Sequence, residues 1–217
     1  NVFVGSKRGG LGVVASVSCA IIGAISGSGF TGVAATGPIL IPRMEQEGYP
    51  RGYATALVTD SSILGLLIPP SVVMIVFGWV TETSILACFL ATVGPGLLIT
   101  LLFAVINVIW SRKFDLKLEP KLSASEKWQQ VKNRTWMAIP ALMMPFIILG
   151  GIYGGVMTPT EAAGVAVIYS IPVGFFVYKG LNLKNFYEIA WNSATSVGAI
   201  LVMIFFCLML SQTYVML

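Results

Sequence analysis

Residues 9–42 form an uninterrupted stretch of 34 residues without a charged side chain. One α-helix of that length would run about 50 Å, whereas the hydrocarbon core of a bilayer is about 30 Å thick. The stretch is therefore too long for a single crossing. Its centre, Ala24-Ile25-Ser26-Gly27-Ser28-Gly29-Phe30-Thr31-Gly32, supplies a natural break. Cut there, it gives two arms of about 20 Å each, neither long enough to span. A re-entrant helical hairpin follows, with its tip held in protein or a wet cavity where backbone groups find partners.

The surrounding chain sets the solvent. Of 217 residues, 56% are hydrophobic and 10% charged, and there is no histidine. A soluble domain carries about a quarter charged residues, so this is an all-α polytopic membrane protein. The net charge of +4 comes from basic residues between apolar runs, without the basic-aromatic surface patch of a nucleic-acid binder. Without histidine there is no zinc site of the usual kind, no serine-histidine pair and no imidazole acid or base, and an enzyme is not expected. Cys19, Cys88 and Cys207 lie inside apolar runs, where a free thiol behaves as a small hydrophobe, and no disulfide is expected.

The chain divides into a lead-in at 1–10, the hairpin at 11–42, a polar loop at 43–51 and an interrupted crossing at 52–81. Pro69 and Pro70 remove two backbone donors in mid-membrane and should break that helix, with Pro70 suited to the first turn of its second half. A continuous span follows at 83–111, which Pro95 and Gly96 could kink. Residues 112–134 carry seven basic and three acidic side chains, and Ser123 with Glu126 reads as a capping box opening a short amphipathic helix that bears Trp128, Val131 and Trp136. Residues 135–217 make three further spans, the second opened by Thr158 as N-cap, Pro159 at N1 and Glu161 at N3. Tyr187 and Trp191 mark an interface before the last span. If the basic loop is cytoplasmic, counting crossings places all 13 basic residues on that side, and the hairpin enters from the cytoplasm.

Several groups could carry chemistry. At the tip, Ser26, Ser28 and Thr31 bring hydroxyls, and the two arms bring unpaired carbonyl and N–H groups, which suit a small cation and an anion respectively. The same serines could simply bond their own turn. Asp60, at depth in the interrupted helix, is a functional candidate by default, or an interfacial partner of Arg51. Ser61 and Ser62 could face a ligand or bond back to the preceding turn. Gly150, Gly151, Gly154 and Gly155 form small-xxx-small pairs that suit close helix packing. Gly27, Gly29 and Gly32 match the dinucleotide fingerprint by letter, but no strand precedes them.

Four motifs in order carry a resemblance over nearly the whole chain: Ala24-Ile-Ser-Gly-Ser-Gly with Ala34-Ala-Thr-Gly-Pro-Ile-Leu-Ile-Pro42; Gly48-Tyr49; Ile63-Leu-Gly-Leu-Leu-Ile-Pro-Pro-Ser71; and Gly150-Gly-Ile-Tyr-Gly-Gly-Val-Met-Thr-Pro-Thr-Glu-Ala-Ala163. The sequence resembles the large membrane subunit (DctM-like, or M, subunit) of TRAP transporters. The resemblance implies an elevator-type fold with a partial inverted repeat in a multi-pass protein of the bacterial inner membrane. It implies sodium-coupled uptake of a carboxylate-bearing solute such as sialic acid or a C4-dicarboxylate. The partners it implies are a small membrane subunit and a periplasmic substrate-binding protein. It also implies a sodium site from Ser26, Gly27, Ser28, Asp60, Ser61, Ser62, Gly65 and Pro69, and half a substrate site from Ser26, Ser28, Thr31, Pro70 and Ser71. Phe30 departs from the small residue expected at that position. The second hairpin and second broken helix are expected beyond Leu217. The rivals are a sodium/dicarboxylate carrier that needs no binding protein and, from another class, a channel with a re-entrant filter.

Overall fold

The computed structural model describes residues 8–116 and 124–216, the side chains of 124–134 and 214–216 excepted. The Ser123 and Glu126 capping box, Lys7, and the side chains of Trp128 and Val131 lie outside the described residues. All regular structure among the described residues is helical: α1 (Gly10–Ser26), α2 (Gly29–Gln46), α3 (Arg51–Ser62), α4 (Leu64–Leu67), α5 (Val72–Val80), α6 (Ile85–Trp110), α7 (Ala124–Tyr153), α8 (Pro159–Pro172) and α9 (Leu183–Met216). The chain forms two compact units, Asn1–Ala166 and Val167–Leu217.

In the first unit, α1 and α2 are the arms of the hairpin. Gly27 ends α1 in the left-handed region (φ 66°) and returns its N–H to the Gly23 carbonyl at 2.7 Å. This is the glycine stop that an L side chain resists. Ser28 is extended and α2 starts one residue later. The second arm outruns expectation, staying helical through Pro38 and Pro42 to Gln46, so the connecting loop shrinks to residues 47–50. The interrupted crossing is a bent pair, Arg51–Leu67 and Val72–Val80, meeting at 41°. Pro70 is not in the first turn of the second half, because α5 starts at Val72 with Ser71 at its N-cap position.

Among the described residues, four further helices are long and apolar enough to cross a bilayer, over Ile85–Lys113, Thr135–Tyr153, Pro159–Val177 and Leu183–Thr213. With the bent pair they make five. The stretch expected as a separate amphipathic helix is continuous with the next span, since α7 runs unbroken from Ala124. Among the described residues, the glycine pairs lie at the end of α7, and a Cβ on Gly151 would meet Met157 at 2.8 Å. Gly154 and Gly155 terminate α7, with Gly155 at φ 68° and the N–H groups of 154–156 turned back onto Gly150, Ile152 and Gly151. A Cβ on Gly150 would meet nothing within 4 Å. The capping box that opens α8 forms as expected: Thr158 N–H donates to Glu161 Oε2 at 2.7 Å, and Glu161 N–H donates to Thr158 Oγ1 at 3.3 Å.

The core of this unit lies at the open end of the hairpin, where Leu11, Ala15, Cys19, Met44, Tyr49, Ala54, Leu57, Val58 and Leu116 are buried together. Aromatic rings close it. Tyr53 lies between Tyr49 (centroids 6.0 Å apart, 9° between planes) and Trp110 (6.1 Å, 12°), with Phe114 edge-on at 5.0 Å. A second cluster packs Phe89 against Ile152 and Ala162. The second unit holds the last turns of α8, a π-type turn at Val173–Val177, and α9, whose first turn is capped by Asn182 Oδ1 accepting from Asn185 N–H at 2.8 Å.

Candidate functional site

Glycines bring the hairpin onto the broken helix. α1 presents Gly12, Ser16, Cys19 and Gly23 along one buried stripe. Gly23 meets Gly65 of α4 backbone to backbone, and a Cβ on Gly65 would lie 2.8 Å from the Ser28 carbonyl oxygen. On α2, a Cβ on Gly29 would lie 3.1 Å from the Ser62 carbonyl oxygen, and one on Gly32 would lie 2.9 Å from Ser62 Cβ. Side chains at these positions would hold the elements apart. Their absence puts the carbonyls of Ser28 and Ser62 at the contact.

Prolines then decide which backbone groups are left over. Pro69 and Pro70 have no N–H for the carbonyls of Gly65 and Leu66. The Ser71 hydroxyl replaces one, donating to the Leu66 carbonyl at 2.7 Å, and Ser71 is fully buried. Across the break, Val72 N–H donates to the Gly27 carbonyl at 3.2 Å, which joins the hairpin tip to the N-terminus of α5. Two helix C-termini (α1, α4) and two N-termini (α2, α5) thus converge near the tip. Oxygen-rich C-termini favour a hard cation and N–H-rich N-termini favour an anion.

The expected site residues fall into three groups. Ser26, Gly27, Ser28, Ser62, Gly65, Pro69, Pro70 and Ser71 are brought together where the tip meets the break. Here the bland use of a tip serine also occurs, as Ser26 Oγ accepts from Ser28 N–H at 3.3 Å and lies 3.3 Å from the Ser28 carbonyl oxygen. Ser61 is buried deeper, its hydroxyl 2.8 Å from Ser16 Oγ, while Ser62 bonds back to the Thr59 carbonyl at 2.6 Å. The two serines of one motif therefore serve different ends. Thr31 and Asp60 belong to the third group, exposed on the outer sides of α2 and α3 and not brought to the buried serines. Phe30, beside Thr31, is 89% exposed.

Sequence reasoning missed the polar residues that tie these helices. Ser16 donates to the Gly12 carbonyl at 3.3 Å besides pairing with Ser61. Thr36 Oγ1 donates to the Gly32 carbonyl at 2.6 Å and lies 3.3 Å from Cys19 Sγ, which also reaches the Val58 carbonyl at 3.7 Å. Asn107 of α6 is fully buried, with Nδ2 donating to the Gly9 carbonyl at 2.6 Å and Oδ1 accepting from the Tyr53 hydroxyl at 3.2 Å. The spacing of Gly12, Ser16, Cys19 and Gly23 along one helical face was the available signal for the first of these ties. Behind the tip, a cavity of about 200 Å³ lies between Ser26, Gly27 and Pro70 and the apolar side chains of Phe89, Ile148, Ile152 and Ala163.

Comparison with known proteins places this sequence in one family. The sequence profile for the DctM component of tripartite ATP-independent periplasmic transporters matches residues 1–216. The chain is 39% identical over 202 residues to the ectoine TRAP transporter large permease protein TeaC of Halomonas elongata, covering 93% of this chain and 46% of that one. It is 42% identical over 185 residues to the C4-dicarboxylate TRAP transporter large permease protein DctM of Pseudomonas aeruginosa (85% and 42%). It is 36% identical over 200 residues to the isethionate TRAP transporter permease protein DctMQ of Oleidesulfovibrio alaskensis (92% and 31%). The chain spans about half the length, or less, of these relatives.

Proposed function

The chain belongs to the family of DctM components of tripartite ATP-independent periplasmic transporters, and we propose that it supplies one half of the solute and sodium site of a large permease subunit. In this reading the permease takes up a small organic acid across the bacterial inner membrane. A periplasmic binding protein delivers the solute, a small membrane subunit braces the permease, and the hairpin and broken helix ride together in an elevator motion.

One observation carries the reading: the hairpin tip is docked on the helix break, with Val72 N–H on the Gly27 carbonyl and the Ser28 and Ser62 carbonyls at the contact. Hydroxyl and carbonyl oxygens suit a hard cation such as sodium, and the N-termini of α2 and α5 suit a carboxylate. Placing both at one tip makes binding of each ion favour the other, which is what coupling requires. Relatives named for ectoine, C4-dicarboxylates and isethionate support an organic acid as solute, without choosing among them.

The test is solute uptake by the full-length permease, with its small subunit and binding protein, in proteoliposomes across a sodium gradient. Ser28→Ala and Ser62→Ala are expected to weaken the sodium dependence of uptake more than membrane insertion. Correctly inserted variants that keep the wild-type sodium response would refute the assignment. Uptake that proceeds equally without the binding protein would point instead to a carrier that works alone.

A further inference from the structure

On α6, Leu98, Leu102, Val105 and Ile109 are exposed at positions i, i+4, i+7 and i+11, which sets them in one apolar stripe along one face. By helical rise the stripe is about 16 Å long, close to half of a hydrocarbon core roughly 30 Å thick, the depth of one leaflet. Arg112 follows three residues after Ile109, in the 3-10 turn Ser111–Lys113 that continues the helix, and it is exposed. That spacing puts a guanidinium at the head of the stripe.

Two further cations flank Arg112. Lys113 holds its Nζ 4.9 Å from the centroid of the Trp110 ring, which is itself stacked on Tyr53. Tryptophan and tyrosine at the end of a membrane span mark the headgroup level. On the other side Gly9 packs against α6, where an added Cβ would lie 2.7 Å from Ser111 Oγ and 3.0 Å from the Val108 α-carbon. Arg8 therefore enters beside the same turn, and it is exposed. There α1 opens with no side chain on its first N–H groups, so its positive end adds to the field. Arg51 is paired with Glu45 at 3.5 Å, whereas among the described residues no ion pair neutralises Arg8, Arg112 or Lys113. Asp115, the nearest carboxylate in sequence, leaves a surplus of positive charge.

We propose that this corner binds an anionic glycerophospholipid. The phosphodiester lies over Arg112, between Arg8 and Lys113, and an acyl chain follows the stripe from Ile109 to Leu98 into the leaflet. A free phosphate would use the same cations but has no use for the apolar stripe that begins directly beneath them, and the continuity of charge with stripe is what selects a lipid. The count of basic residues that orients the chain places the site in the cytoplasmic leaflet.

The experiment uses the full-length large permease with its small subunit, purified and delipidated in detergent. Thermal unfolding is titrated with phosphatidylglycerol, with phosphatidylcholine and, as the free-phosphate arm, with glycerol 3-phosphate. Phosphatidylglycerol is expected to stabilise the wild type at concentrations about tenfold or more below those needed with phosphatidylcholine, and glycerol 3-phosphate is expected to have no effect. At about fivefold per charge removed, Arg8→Gln should need about fivefold more phosphatidylglycerol and Arg112→Gln with Lys113→Gln more than about tenfold, with the response to phosphatidylcholine unchanged. Arg112→Lys with Lys113→Arg should behave as wild type, which separates lost charge from a disturbed turn. Lys179→Gln with Lys184→Gln removes the same charge from the second unit and should change nothing. An equal loss in that last variant would make the effect one of net charge, and equal stabilisation by glycerol 3-phosphate would make the site one for free phosphate. Either result overturns the proposal, as does a wild type without the preference or an unchanged response in both Arg8→Gln and the Arg112 and Lys113 variant.

Discussion

Gly23 of the first hairpin arm and Gly65 of the broken helix touch backbone to backbone, and a Cβ on Gly65 would lie 2.9 Å from the Gly23 α-carbon. The same Cβ would lie still nearer, 2.8 Å, to the Ser28 carbonyl oxygen at the hairpin tip. Neither obstacle is the end of a flexible side chain, so the helices themselves must separate. Gly65→Ala is expected to destabilise the full-length permease by about 1–3 kcal/mol, as overpacking does. Because the strain falls at the proposed sodium site, sodium affinity should drop with it on that reading. Gly150→Ala, where the added methyl meets open space in this structure, is the control. Thermal unfolding of the detergent-solubilised complex, titrated with sodium, checks both expectations.

Ser16 and Ser61 share one hydrogen bond in a fully buried setting, but they do not depend on it equally. Ser16 also donates to the Gly12 carbonyl, so it keeps a partner when Ser61 is lost. Among the described residues, Ser61 has no second side-chain bond of this kind. Ser16→Ala should therefore cost more than Ser61→Ala, with a stranded buried hydroxyl worth about 1–3 kcal/mol. The double variant should be less damaging than the sum of the two, since it strands neither group. A double-mutant cycle on unfolding free energy measures the difference.

The hairpin and the break were legible because they violate a length or a bonding rule. Thirty-four uncharged residues cannot be one crossing, and adjacent prolines cannot continue a helix. The Thr158 and Glu161 capping box was legible because its signal is local, complete within four residues. What stayed hidden depends on pairing between segments distant in sequence. Nothing near Asn107 says that its amide will meet Gly9, and Ser61 differs from Ser62 only in which side of α3 it occupies. The glycines at 150–155 show a related ambiguity. Small residues at helical spacing serve packing inside a helix and a stop at its end, and spacing alone does not separate the two. The end of α2 was placed too early because prolines and an arginine read as a loop, whereas the helix continues to Gln46.

Tyr49 gives a prediction in pH. It is buried in the loop between α2 and α3, and burial, reinforced by the nearby Glu47 carboxylate, pushes its phenol up to about 12 against a weaker opposing effect of the Gly12 backbone. The folded state therefore holds the proton more tightly than the unfolded chain, whose tyrosines titrate near pH 10. Stability from this group is complete below pH 10 and declines as pH rises from 10 towards 12. Tyr49→Phe should flatten that part of the profile while leaving neutral-pH stability within about 1 kcal/mol, since ring packing is retained. Alkaline titration of thermal stability, wild type against variant, makes the comparison.

Asn107 joins three elements: α6, which carries it, the first residue before α1 through the Gly9 carbonyl, and α3 through the Tyr53 hydroxyl. The approach is possible because Gly12 has no side chain, and a Cβ there would overlap the Asn107 amide. Asn107→Leu keeps the volume near constant but removes donor and acceptor together. The Gly9 carbonyl still accepts from Val13 N–H at 3.1 Å, so the larger loss falls on the Tyr53 hydroxyl, which is left at the edge of the aromatic stack. Asn107→Asp is more severe, because it replaces the donor with a buried carboxylate facing a carbonyl oxygen. The expected order of stability is wild type, Tyr53→Phe, Asn107→Leu, Asn107→Asp, with Asn107→Leu costing about 1–3 kcal/mol. Hydrogen exchange adds a local readout: amides in the first turns of α1 should lose protection in Asn107→Leu, whereas those around the Thr158 cap of α8 should not. Equal loss at both ends would mean that Asn107 stabilises the protein generally and does not anchor the base of the hairpin.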